Sequence, residues 1–327
     1  MNAIKMPIIH SVLDAGAVGE KIAAHFDLPG AVHCELLTRG MNDVYLVRSG
    51  GEKYASRVWR HGFRDEAKVA YELAFLDHLK GTGLPVVPAV RMKDGGFHVP
   101  VQAPEGERYM ALFEWAEGAP YGAAPDPEGA RRIGGIIAEV HLAGADFKLA
   151  ATRFVDRPGS FVRELPALLR MVAHRPEDAD YYPRAIAAVE EALAPVDSVR
   201  AAFGPSHGDF HLYNAFVADG GKTVILDFDN CGEDHYVQEL MSFAWANHYV
   251  GVREDITDAF LDGYGAVRPL SDAEAGLIPM FFAAKELRFL CGFAANVNAV
   301  GHTPLLNPNL DWFAENVRKH VSAAGLM

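Results

Sequence analysis

The chain has 327 residues, half of them hydrophobic, and a mean hydropathy of +0.02; this describes a soluble chain with enough material for one large domain or two lobes, and excludes disorder. A formal net charge of −13 argues against a nucleic-acid or anionic-membrane surface and suits a cationic substrate held near a site. Cys34, Cys231 and Cys291 lie far apart without C-x-x-C or Cys/His spacing, which excludes a disulfide framework and a structural zinc site and leaves reduced thiols in a cytoplasm as the simplest account.

In chain order, Ser11 to Phe26 carries helical spacing and stops before Leu28-Pro29-Gly30. Val32 to Val47 then alternates as two short strands about the turn Thr38 to Asn42. A Ser49-Gly50-Gly51 turn leads to a third strand, Lys53 to Trp59, and Arg64 to Leu79 reads as a helix stopped by Gly81-Thr82-Gly83-Leu84-Pro85. Strand-like segments follow at Ala89 to Met92, Phe97 to Val101 and Tyr109 to Trp115. Gly118 to Pro127, rich in Gly, Ala and Pro, reads as a linker.

The expected division is therefore an N-terminal lobe over residues 1–117 and a helical C-terminal lobe over 118–327. Apolar faces recur in Ala130 to Leu142, Phe161 to Val172, Ala185 to Ala194, Glu239 to Val250, Ala273 to Asn296 and Leu310 to Val321. Pro166 and Pro279 are expected to start or kink two of these helices. Met1 to Ile9 lacks the apolar core of a signal peptide, and the longest uncharged run, Phe289 to Leu310, is broken by Asn, His and Pro. Neither export nor a membrane span is expected.

The helical series is interrupted between Ser206 and Asp229, where the chain carries His207-Gly208-Asp209-Phe210-His211-Leu212-Tyr213-Asn214 and then Ile225-Leu226-Asp227-Phe228-Asp229. Phosphoryl transfer needs a carboxylate that takes or orients the acceptor hydroxyl, and a carboxamide and second carboxylate that hold magnesium against nucleotide phosphates. Asp209, Asn214 and Asp227 can fill those roles. In H-R-D-x-x-x-x-N the metal-binding Asn follows the catalytic Asp by five positions, as Asn214 follows Asp209, with Gly208 standing where that pattern has Arg. At about a twentieth per residue type, four fixed positions of H-G-D-x-x-x-x-N arise by chance in about one chain in 500 of this size, so a mere polar turn before a buried strand is the weaker reading.

With these motifs, the chain resembles the aminoglycoside phosphotransferase and choline kinase family, a branch of the protein-kinase-like fold. The resemblance covers nearly the whole length and includes Gly40-Met41-Asn42-Asp43-Val44-Tyr45, Arg57-Val58-Trp59, Leu84-Pro85 and Phe113-Glu114-Trp115-Ala116-Glu117-Gly118. Within the family it is similar to homoserine kinase type II and to the bacterial stress-response Ser/Thr kinases. The resemblance implies an α+β, two-lobed fold: a small antiparallel sheet lobe with one main helix, and a larger helical lobe carrying the catalytic and metal-binding loops.

It further implies that Arg57 meets nucleotide phosphates with Glu72 of the following helix as its partner, although read alone the two are more simply a solvated strand Arg and helix Glu. The turn from Gly40 through Asn42 to Asp43 should cover the phosphates, and the Glu114 carbonyl and Ala116 N–H should read the adenine edge. Asp209 is then the catalytic carboxylate, and Asn214 and Asp227 the Mg2+ ligands. His207 packs the loop. Asp229 either supports the metal ligands or caps the strand. Glu239 of Gln238-Glu239-Leu240-Met241 stands where the family often has Asp-Leu-Ala. His211, Glu233 and Asp234 are candidate acceptor contacts, each also readable as an ordinary turn residue.

The expected activity is ATP- and Mg2+-dependent transfer to a hydroxyl of a small, amine-bearing molecule. Two alternatives stay open: a Ser/Thr protein kinase, and a catalytically silent nucleotide-binding protein. The expected partner is a small-molecule acceptor or a protein acceptor, with no nucleic acid and no membrane.

Overall fold

The computed structural model describes residues 6–149, 160–196, 199–300 and 310–327; residues 1–5 of the N-terminal segment and 301–309 of the long uncharged run lie outside the described residues. The chain divides into two compact units, one comprising 1–118 with 224–229, the other 119–223 with 230–327.

The first unit opens with α1 (Ala15–His25), whose N-cap Asp14 accepts from Ala17 N. Strands β1 (His33–Arg39), β2 (Asp43–Ser49), β3 (Glu52–Val58), β4 (His98–Ala103) and β5 (Gly106–Glu114) form an antiparallel sheet ordered β1-β2-β3-β5-β4, with α2 (Glu66–Gly81) between β3 and β4 in sequence. Strand alternation sorts the side chains. Tyr45, Val47, Val58, Met110 and Leu112 pack with Val18 and Ile22 of α1 and with Phe26, which follows it, into one core, while Arg57, beside Val58 in sequence, reaches Glu72 of α2. The segment expected as a strand over Ala89 to Met92 makes only single bridges, Ala89 to Phe113 and Met92 to Phe26.

Deeper in this unit, Arg108 and Asp43 form a fully buried ion pair at 2.7 Å. The guanidinium also donates to the carbonyls of Trp59, Ser11 and Val58, so its donors are met, as a buried charge requires. Asp43 thereby anchors the end of the β1–β2 turn.

In the second unit, β6 (Ala119–Pro120) pairs with β8 (Ala215–Val217), and β7 (Phe203–Ser206) with β10 (Gly232–His235). The remaining short strand, β9 (Thr223–Ile225), leads into the first unit's segment. Helices α3 (Pro127–Gly144), α4 (Ser160–Met171), α5 (Pro176–Leu193), α6 (Tyr236–Val250), α7 (Glu254–Val267), α8 (Asp272–Val300) and α9 (Leu310–Ala323) complete it. One of its cores joins α4, α5, α6, α8 and α9 through Leu168, Tyr182, Trp245, Leu287, Phe313 and Val317. Pro166 and Pro279 stand inside α4 and α8 and start neither helix. No helix among the described residues is long and apolar enough to cross a membrane.

Helix α7 has no counterpart among the sequence-expected helices because Gly263 and Gly265 weaken its propensity. Packing supplies the reason for Gly263. A Cβ there would stand 1.9 Å from the Arg131 carbonyl oxygen, and one at Gly134 would stand 2.0 Å from the Phe260 carbonyl oxygen, so α3 and α7 approach backbone to backbone.

Candidate functional site

Functional side chains gather at two places, one in each unit. In the second unit, the loop from His207 to Asn214 joins β7 to β8 and carries Asp209. Its shape is imposed from behind by Glu239 in the first turn of α6. The Glu239 carboxylate accepts from His207 N at 2.7 Å through Oε2 and from Gly208 N at 2.8 Å through Oε1. Two successive N–H groups converge in this way because Gly208 adopts φ 86°, a conformation that disfavours side chains. Oε2 also accepts from His141 Nε2 at 3.0 Å, and His141 Nδ1 accepts from the Tyr264 hydroxyl at 2.8 Å. Arg268 donates to that hydroxyl and to Glu274, and Tyr236 stacks on the His141 ring at 4.1 Å.

These contacts fix the protonation pattern. Burial alone would raise the Glu239 carboxyl, but the His141 hydrogen bond and the loop N–H donors hold it below its usual range, hence ionised. Burial dominates at His141 and lowers it, hence a neutral imidazole. The Tyr264 hydroxyl is pushed well up by burial and keeps its proton to donate.

Within the loop, His207 is fully buried against Phe210, and Phe210 stacks on Phe243 and Phe260. Asn214 Nδ2 donates to the Asp209 carbonyl at 3.0 Å, which commits the amide nitrogen and leaves the amide oxygen as the atom a cation can take. The Asp209 side chain is 41% exposed and accepts from Lys285 Nζ of α8 at 2.8 Å through Oδ1. Burial opposes its ionisation, yet the Lys285 ammonium, with His211 in support, holds the carboxyl down at about 2. His211 accepts from Tyr213 N through Nδ1. Glu233 and Asp234 lie on β10, where Asp234 is buried and accepts from His235 N.

In the first unit, Arg57 of β3 forks: Nη1 donates to Glu72 Oε1 at 2.6 Å and Nη2 to Asp227 Oδ1 at 2.8 Å. Burial would lower the guanidinium, but Glu72 first, then Asp227 and Asp229, raise it above its usual range and keep it charged. Asp227 has φ 66°, the sole positive value outside glycine among the described residues, and its side chain is 48% exposed. A residue held in that conformation costs about 1 kcal/mol and marks a position the surroundings impose.

Asp229, two residues on, is instead buried and consumed. Its oxygens accept from Asn42 Nδ2 at 3.0 Å, Trp59 Nε1 at 2.9 Å and Arg64 Nε at 3.1 Å. Arg64 foremost, with Arg57, outweighs burial and holds it below the usual carboxylate range. The β1–β2 turn is thus tied down by Asn42 and by Arg60, whose Nη2 donates to the Gly40 carbonyl at 2.8 Å. Gly40 needs no glycine for its own backbone, since a Cβ there would meet open space, and its N–H donates to the Asn42 carbonyl at 3.0 Å. Glu114 ends β5 with its N–H bonded to the Pro88 carbonyl and its carboxylate 3.6 Å from Lys80; Ala116 follows in the coil.

Each unit offers oxygen donors of its own. Asn214 in the second unit leaves an amide oxygen, and Asp227 in the first a half-exposed carboxylate, each an oxygen donor of the kind a hard cation takes. Of the residues singled out from sequence, Arg57, Glu72 and Asp227 are joined by hydrogen bonds in the first unit, and Asp209 and Asn214 in the second. Sequence reading misses Lys285, His141 and Arg64, which no local motif signals, and places Trp59 in the Arg57-Val58-Trp59 segment without its bond to Asp229.

Residues 34–276 match the phosphotransferase enzyme family known as APH. An uncharacterised protein of Deinococcus radiodurans is 30% identical over 314 residues, covering 94% of this chain and 90% of the relative. A homoserine kinase of Azorhizobium caulinodans is 24% identical over 289 residues, covering 86% of each. Among solved structures, an amicoumacin kinase in complex with AMP-PNP and Ca2+ superposes with a TM-score of 0.73 at 16% identity, covering 95% of this chain and 93% of that one. Such a likeness establishes the protein-kinase-like fold, and the family match over most of the length establishes the rest: the chain belongs to the APH phosphotransferase family.

Proposed function

We propose that the protein transfers the γ-phosphoryl group of ATP to a hydroxyl of a small, amine-bearing molecule in the cytoplasm, where its three free thiols stay reduced. The observation that carries this reading is the loop pairing of Asp209 and Asn214: one hydrogen bond orders both residues while leaving a carboxylate oxygen and an amide oxygen available. The acceptor hydroxyl gives its proton to the Asp209 carboxylate as its oxygen bonds to the γ-phosphorus. The bond from phosphorus to the bridging oxygen breaks, and its electron pair leaves on ADP. Asn214 and Asp227 would hold Mg2+, which supplies positive charge against the phosphate oxygens. Arg57 meets the phosphates as a fixed cation with Glu72 as its brace.

A small acceptor is favoured by the relatives, which include a homoserine kinase and an aminopropanol kinase, and an amine by the net charge of −13. The test is ATP consumption with Mg2+ across hydroxylated amines, amino acids, aminoglycosides and a generic protein, with Asp209→Ala as control. Turnover on a small acceptor, lost in the variant while nucleotide still binds, is the expected result. Full activity of Asp209→Ala overturns the mechanism, and turnover on the protein alone overturns the acceptor class.

A further inference from the structure

Lys285 comes to Asp209 from 76 residues further along the chain. Exposed lysine–carboxylate pairs are mobile and contribute little, because a long side chain must be ordered for a screened attraction. Lys285 differs in being 12% exposed, with its ammonium 6.0 Å from the Trp245 ring centroid of α6. Much of its freedom is already removed by packing, so its direction is set by α6 and α8 and not by the loop it contacts.

The tie is one-sided. Oδ1 of Asp209 takes the ammonium, whereas Oδ2 takes no hydrogen bond among the described residues. The torsion that swaps the two oxygens of an aspartate is broad and two-fold, so an untied carboxylate presents either. The other charged or titratable groups acting here are His211 and His207 of the same loop and Glu239 of α6, and Glu239 is already occupied by His141 and two backbone donors. Lys285 is the group from outside the loop that tells the two oxygens apart.

We propose that Lys285 is a positioning residue for phosphoryl transfer, fixing the Asp209 carboxylate through Oδ1 so that Oδ2 meets the acceptor hydroxyl. This rests on the kinase reading of Asp209. In the transfer step the hydroxyl proton passes to Oδ2, while Lys285 keeps its own protons and acts only through Asp209.

The experiment compares wild type, Lys285→Met and Lys285→Arg in kcat, acceptor KM, nucleotide Kd and the acid limb of the pH profile of kcat/KM. The expected result for Lys285→Met is a fall in kcat of about tenfold or more, with nucleotide Kd unchanged, since misplacing a reacting group is costly while binding elsewhere is untouched. Its acid limb moves to higher pH, because a carboxylate without its cation protonates more readily. Lys285→Arg restores part of kcat. A Lys285→Met enzyme within twofold of wild type in kcat, with an unmoved acid limb, overturns the proposal. If Lys285→Met does not fold, Lys285→Gln, which keeps a donor without the charge, is read in the same way. A carboxyl 13C NMR titration of Asp209, assigned with Asp209→Asn, separates the two ideas. An upward shift in the variant supports the tie even in a protein that phosphorylates no acceptor, where the kinase reading alone would fall; no shift removes the tie.

Discussion

Glu239→Gln is the substitution that most directly probes how the His207–Asn214 loop is held. The wild-type carboxylate receives three donors, two of them backbone, in a position only 2% exposed. A glutamine keeps the shape but replaces one acceptor oxygen with a donor. Since Oε2 serves both His207 N and His141 Nε2, the less costly orientation puts the new amide nitrogen opposite Gly208 N. One buried backbone N–H then loses its acceptor, about 1–3 kcal/mol, and the remaining bonds lose their charge assistance, so a destabilisation of about 2–4 kcal/mol follows. The strain falls on the residue preceding Asp209, so kcat should drop at least about tenfold with little change in nucleotide affinity. Urea denaturation gives the first quantity and steady-state kinetics the second. The pH dependence has a definite sign. Glu239 is depressed in the folded state, so its contribution is present above the unfolded carboxyl value of about 4.3 and lost as pH falls through the lower folded value. The glutamine variant should lack that part of the acid loss. A variant with wild-type midpoint and kcat would refute the claim that Glu239 sets the loop.

Three further outcomes are expected. Gly134→Ala forces a Cβ to within 2.0 Å of the Phe260 carbonyl oxygen and should destabilise by about 3 kcal/mol or more, read as a lowered melting midpoint; Gly40→Ala, whose Cβ meets nothing, should leave the midpoint unchanged. Asp229→Asn weakens the tie among Asn42, Trp59 and Arg64 and sets a donor against donors, so stability should fall by about 2 kcal/mol and nucleotide affinity with it, measured by unfolding and by equilibrium titration. Gly208→Ala places a side chain at φ 86°, costing about 1–2 kcal/mol, and should lower kcat through the displaced Asp209.

What was legible in the sequence depends on separation along the chain. Asp209 and Asn214 lie within a few residues of each other, and their spacing alone predicts a shared loop. The Arg57–Glu72 pairing bridges 15 residues of strand and helix and could be read from the expected fold. His141, 98 residues from Glu239, could not, since a lone histidine on an amphipathic helix looks like any other core residue. The same holds for Trp59, which meets Asp229 across 170 positions. Periodicity gave the separate strands and helices and the resemblance their α+β arrangement, yet α7 was lost because its glycines weaken the helical signal while serving a backbone contact that only tertiary structure reveals.

The two carboxylates around the loop explain why glycine stands where the protein-kinase pattern has arginine. Glu239 is saturated: every donor it takes comes from the fold, so its charge serves geometry. Asp209 is half used, with one oxygen tied to Lys285 and the other open. For the first carboxylate to hold the loop by main chain alone, two consecutive N–H groups must point the same way, and the second of them belongs to Gly208 at φ 86°. An arginine there would bear about 1–2 kcal/mol of backbone strain before making any contact of its own. The cation near Asp209 therefore comes from elsewhere, and Lys285, placed by α8 and not by the loop, supplies it without disturbing the turn that Glu239 fixes.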